Sequence, residues 1–107
     1  MSGELAGALR ERVELQRRDD ARDTIGGAVG DWVSLGMAWA AIEYERAGAG
    51  VAGDAADASP WWRVTMRALD VSVGDRMLWI GRVLAVRSVE RDPRFPDRLR
   101  ARVEEAR

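Results

Sequence analysis

Trp61-Trp62-Arg63-Val64-Thr65-Met66-Arg67 is the stretch on which the fold turns. From Trp62 onward, apolar residues alternate with Arg63, Thr65 and Arg67, the two-residue period of a strand with one dry face and one wet face. The same period recurs on both sides of it. Upstream, Val13 and Leu15 alternate with Arg12, Glu14 and Gln16. Between Asp31 and Glu45 the residues Trp32, Val33 and Leu35, then Met37, Trp39, Ala41 and Glu43, are interrupted by Gly36, where a bulge or bend fits. That segment therefore reads as two short strands or one bent strand. Downstream, the turn Val73-Gly74-Asp75 leads into Arg76–Ile80. Gly81-Arg82 then folds that strand back as a hairpin onto Val83, Leu84, Val86 and Val89. After a loop marked by Asp92, Pro93 and Pro96, Leu99, Ala101 and Val103 alternate with Arg98, Arg100 and Arg102 in a last strand. Six or so short strands predict an all-β chain, a small barrel or rolled sheet, because closure removes edges that would otherwise pair with other chains.

The 107 residues make one domain, 1–107, with a single modest core. Hydrophobic residues at 47% and charged residues at 33% are the proportions of a folding chain. Leu5, Ala6 and Leu9 suit one docked amphipathic helical turn, too short to hold by propensity alone. Asp19 to Gly30, with the pair Gly26-Gly27, reads as a reversing loop. Gly48 to Ser59 is almost wholly Ala, Gly and Asp, so it buries too little apolar surface to offset the entropy of ordering it. A flexible loop over 46–60 is the expectation.

Catalysis has few residues to work with. The sequence holds neither cysteine nor histidine, which removes disulfides, the thiolate nucleophile, the commonest general base and the commonest metal ligands. Asp54 and Asp57 form a carboxylate pair, but a loop of alanine and glycine cannot hold them to catalytic or metal-binding tolerance. Gly48-Ala49-Gly50-Val51-Ala52-Gly53 matches the glycine fingerprint of dinucleotide-binding folds. It lacks the helix that fingerprint must open, since Pro60 and a strand follow. No cofactor and no metal are expected. A net charge of -1 lacks the positive excess of a dedicated nucleic-acid binder. All 17 basic residues are arginine, which reflects GC-rich coding more readily than mechanism, although arginine also suits packed carboxylate pairing. Met1–Arg12 lacks the pattern of a secretory signal, and no run approaches the about 20 apolar residues of a membrane span. We expect no membrane contact and synthesis in a cytoplasm.

Two surface features remain. Five tryptophans are many for this length. Trp39 and Trp62 lie in phase with apolar neighbours and read as core. Trp61 points opposite Trp62, and Trp79 falls in phase with Met77, so one of these two suits a subunit interface. Arg98, Arg100 and Arg102, with Arg63 and Arg67 on another strand, form a stripe that would line a DNA passage or meet an acidic partner. The plain alternative is a solvated strand face.

The order of these motifs resembles the head-tail joining, or head-completion, proteins of long-tailed phages, also called stoppers. Leu9, Arg12, Val13, Leu15 and Gln16 are similar to the family's opening strand, and Gly26-Gly27 with Trp32 to its glycine pair and downstream tryptophan. Ala38-Trp39-Ala40-Ala41-Ile42-Glu43 is similar to its tryptophan-alanine strand ending in isoleucine-glutamate. Val64-Thr65-Met66-Arg67, Gly74-Asp75-Arg76, Gly81-Arg82-Val83, Val86 and Val89 follow in the family's order. Trp61-Trp62 and the glycine-rich loop depart from the pattern.

The resemblance implies a non-enzymatic virion protein, made in a bacterial host and placed at the head-tail junction of a phage or gene transfer agent. It would be a compact barrel that joins copies of itself in a ring of six or twelve below the portal and adaptor. The ring would retain packaged double-stranded DNA without sequence specificity and dock the tail terminator or tail tube protein. The long loop would project into the channel as a gate, with Gly48, Gly50, Gly53, Asp54 and Asp57 in it and Arg46 at its base. A glycine-rich hinge without a core of its own suits two positions of similar free energy. Trp61, Trp79, Arg98, Arg100 and Arg102 would serve its interfaces. The alternative function is a small β-barrel module for single-stranded nucleic acid, with tryptophans stacking bases and arginines following phosphates.

Overall fold

A computed structural model describes residues 7–19, 31–45 and 59–106. Six strands run in chain order: β1 (Glu11–Arg18), β2 (Trp32–Glu45), β3 (Trp61–Arg67), β4 (Arg76–Trp79), β5 (Arg82–Glu90) and β6 (Arg98–Glu105). They close into one barrel in the order β1-β2-β3-β6-β5-β4, with every neighbouring pair antiparallel. The all-β fold read from the sequence is thus confirmed, and of the barrel and the rolled sheet it allowed, the closed barrel is the one formed. The expected reversal at Gly26-Gly27, most of the amino-terminal helical turn and nearly all of the glycine-rich loop lie outside the described residues.

Closure puts the apolar phase of each strand inside. Val13 and Leu15 of β1, Val64 and Met66 of β3, Met77 of β4, Leu84 and Val86 of β5, and Leu99, Ala101 and Val103 of β6 are buried together. Each large aliphatic side chain withdrawn this way contributes roughly 1.5–3 kcal/mol. So narrow a barrel has little room for large residues from all six strands, and β2 contributes mainly small ones, Ala40 fully buried and Ala38 partly so, with Ile42 partly buried at the edge of the core.

Two bulges set the register. Leu15 pairs with Gly36 and Gln16 with Ser34, so Leu35 is the extra residue on β2. Gly36 has φ 114°, open to glycine and strained for any other residue. The segment is therefore one strand bent at the glycine. On β5, Val86 pairs with Val103 and Ser88 with Arg102, leaving Arg87 as the extra residue. That insertion returns Val89 to the inner side, three positions after Val86, where it packs against the core.

The β4–β5 hairpin closes through Ile80-Gly81, flanked by the pair Trp79 and Arg82. Both central residues have positive φ, 40° and 80°, the requirement of a type I′ turn. The turn before β4 is closed by the Asp75 N–H to the Ser72 carbonyl at 3.0 Å. It is tied to β1 by Arg17, whose Nε and Nη2 donate to the two carboxylate oxygens of buried Asp75, each at 2.9 Å. Arg17 also reaches the Asp70 carboxylate and carbonyl, both at 3.1 Å.

Candidate assembly surfaces

The stripe Arg98, Arg100, Arg102 lies on the outer side of β6, and β3 brings Arg63 opposite Arg102 and Arg67 opposite Arg98. Like charges facing across a sheet repel, and carboxylates from neighbouring strands and turns offset that repulsion. Glu45 accepts from Arg102 Nε at 3.0 Å and from Arg63 Nη2 at 3.4 Å. Hydrogen bonding by Arg102 is the main cause that holds the Glu45 carboxyl below its ordinary pKa. Glu90 lies 3.9 Å from Arg100, and Asp97 3.1 Å from Arg98. The stripe is thus a face of exposed, largely paired ions, not a bare track for phosphates. Trp61 joins it, with the Arg102 guanidinium 4.6 Å from its ring centre. A small cleft of about 230 Å³ indents the same side beside Thr65, Phe95 and Arg100.

The other tryptophans divide differently from the sequence reading. Trp79 was matched with Trp61 as an interface residue, but it is 9% exposed and belongs to the core, its indole N–H donating to Glu11 at 3.0 Å. Met77 and Trp79 are the two buried residues of β4, alternating with half-buried Arg76 and Leu78. Trp62 packs beside Trp79 edge-on, ring centres 5.1 Å apart, with Tyr44 on its far side at the same separation. Trp62 donates to Glu105 at 2.9 Å, so its assignment to the core stands as a half-buried cap.

Trp39, assigned to the core, is on the outside and 51% exposed. Its partner across the ladder is Arg12, which stands on the wet side of β1 and lies over the indole at 5.1 Å. The inward phase of β2 is Ala38, Ala40 and Ile42 instead. A strand pattern of bulky residues was mistaken for a buried face because the barrel interior takes alanine there.

That reversal uncovers a surface the sequence reading missed. Val33, Leu35, Met37 and Trp39 are all exposed. From Trp32 to Trp39, β2 pairs with β1 alone, and β3 joins its other edge only from Ala40. Among the described residues, the arm formed by β1 and the first half of β2 therefore carries an open strand edge together with exposed apolar side chains. Such a combination is normally covered in a functional assembly. The sequence signal for it was the register of Arg12 opposite Trp39, which no single-strand pattern supplies. The gate residues Arg46, Gly48, Gly50, Gly53, Asp54 and Asp57 lie outside the described residues. Among the described residues no group of three acidic side chains is arranged to hold a metal ion.

A comparison with curated proteins finds no match. Among solved structures, a protein from Shigella flexneri 2a known from a solution structure has a TM-score of 0.71 and 23% identity, covering 94% of this chain and 95% of that one. A chain from the virion of a native gene transfer agent particle has a TM-score of 0.69 and 20% identity, covering 92% and 96%. Both share the fold at identities that say no more than that. The decisive likeness is to a sequence family: the model described as phage head completion protein matches residues 5–104, nearly the whole barrel with its connections, and the chain belongs to that structural, non-enzymatic family.

Proposed function

We propose that the protein joins copies of itself in a ring at the head-tail junction, below the portal and adaptor, where it retains packaged DNA and offers the tail a docking face. The family match through residues 5–104 carries this reading. The likeness in fold to a chain of a gene transfer agent virion supports a place in such particles. So does the surface chemistry. A ring is built from heterologous contacts, in which two different patches of one subunit meet. The open arm of β2, with Leu35, Met37 and Trp39, is one apolar patch; the arginine face with Trp61 is a polar second. Residues 46–60, with Arg46, Gly48, Gly50, Gly53, Asp54 and Asp57, are assigned to the channel as gate.

Particles produced with residues 48–59 deleted from this chain test both parts. The expected outcome is filled heads that lose their DNA, with the variant still at the neck in images of the particles. Normal DNA retention would remove the gate, and a neck without density for the protein would remove the location.

A further inference from the structure

A groove of about 670 Å³ runs between the β1–β2 arm, the turn at 72–75 and the outer side of β5. Among the described residues its lining holds four arginines, Arg17, Arg18, Arg76 and Arg87, against one carboxylate, Asp75. That carboxylate is already engaged by both forks of Arg17. Arg87 donates to Glu104 at 3.0 Å. Arg18 and Arg76 have no carboxylate at ion-pair distance among the described residues. Arg76 Nε bonds the side-chain oxygen of Gln16 at 2.7 Å, and both guanidinium groups lie over the ring of Trp32, at 5.5 Å for Arg18 and 4.2 Å for Arg76. The nearby acids Asp19 and Asp31 hold partners of their own. In a chain of net charge -1, this groove is a local positive site with two guanidinium forks, stacked in place, whose carboxylate capacity is unused among the described residues.

The floor is apolar. Leu84 and Val86 point into the barrel, so Val83 and Ala85 point out, and their small side chains leave the space that Trp32 walls. Extended chain is what such a site accommodates, with alternate side chains reaching opposite sides.

We propose that the groove receives an extended acidic segment of a neighbouring virion protein, with carboxylates on Arg18 and Arg76 and an apolar side chain between Trp32 and the Val83/Ala85 floor. The proposal rests on the assignment to the particle only in taking the partner to be another of its proteins. Packaged DNA fits less well. Its affinity comes from neutralising many phosphates along a track, whereas the guanidinium groups of Arg18 and Arg76, confined to one groove beside an apolar floor, match a short peptide. Trp and Arg in one concavity are also the residues on which protein interfaces concentrate their binding energy.

The test places the photoreactive residue benzoylphenylalanine at position 85 and irradiates assembled particles, and the cross-linked peptide is then sequenced. The expected product is one acidic segment of a different structural protein. Its yield should fall about tenfold or more in particles carrying Arg18→Gln with Arg76→Gln, since two charge-assisted bonds are lost; an unchanged circular dichroism spectrum would show that the barrel persists. A cross-link to a basic or uncharged segment, to a second copy of this chain, or to DNA would overturn the proposal. So would an undiminished yield in the double variant. A chain present in the particles but not cross-linked at position 85 sinks this inference alone; a chain missing from the particles sinks the assignment to the neck and this inference with it.

Discussion

Ile80 shows how a single residue can oppose local preference. At φ 40° it occupies the left-handed region in a type I′ turn, where a β-branched side chain is strained by roughly 1–2 kcal/mol and asparagine before glycine is the favoured choice. Its side chain is 72% exposed, so the core gains nothing in return. Ile80→Asn should therefore raise unfolding stability by about 1 kcal/mol, measured by urea denaturation. An unchanged or lower midpoint would mean that the isoleucine packs more favourably than its exposure implies. At this scale the sequence was legible where a residue's role is set by its own chain neighbours, as for Gly81 in the β4–β5 turn, although that turn is Ile80-Gly81, one residue earlier than the Gly81-Arg82 expected, and Arg82 already belongs to β5. It was illegible where a partner distant in sequence decides the role. Trp39 faces outward because Arg12 does, and Trp79 is covered by Trp62 of β3 and held by Glu11 of β1.

Between elements, the contact that joins β1 to the entrance of β4 is the Arg17–Asp75 pair. Asp75 is buried, and both of its oxygens accept from one guanidinium, a geometry strong enough to offset desolvation. Removing one partner strands the other. Arg17→Met should cost about 3 kcal/mol in the same denaturation experiment, and adding Asp75→Asn should cost much less than a further full increment. Strict additivity would show that the two side chains act independently. Strand positions were readable from period alone, including the interruption at Gly36. The bulge at Arg87 was not, because its sign is a spacing of three between Val86 and Val89 that becomes meaningful only against β6. The candidate stripe Arg98, Arg100, Arg102 was located correctly as one face, yet the carboxylates that pair with it come from β2, β5 and a turn.

For the whole molecule, acid is the informative stress. Glu45, Asp70, Asp92 and Asp97 all sit below their ordinary pKa because arginines hydrogen-bond their charged forms, with Asp92 held down to about 2 chiefly by Arg94. A carboxyl with a depressed folded-state pKa contributes fully above its unfolded value, and that contribution vanishes as pH falls through the folded value. The denaturation midpoint should thus decline between about pH 4 and pH 2, gently, since these groups are exposed or half-buried and their pairs are screened by solvent. With no histidine in the sequence, no step should appear near neutrality. A clear transition between pH 6 and 7 would contradict this account.

The strand order has a further consequence for how the chain comes into being. β6 lies between β3 and β5, although it follows both in sequence. Until Arg98–Glu105 has left the ribosome, β3 and β5 each wait with a ladder half made, and the sheet stays unrolled. Synthesis therefore passes through a stage at which these bare strands can capture one another from different nascent chains. Slow translation just before β6 would prolong that exposure, and a chaperone that shields strand edges would be most useful there.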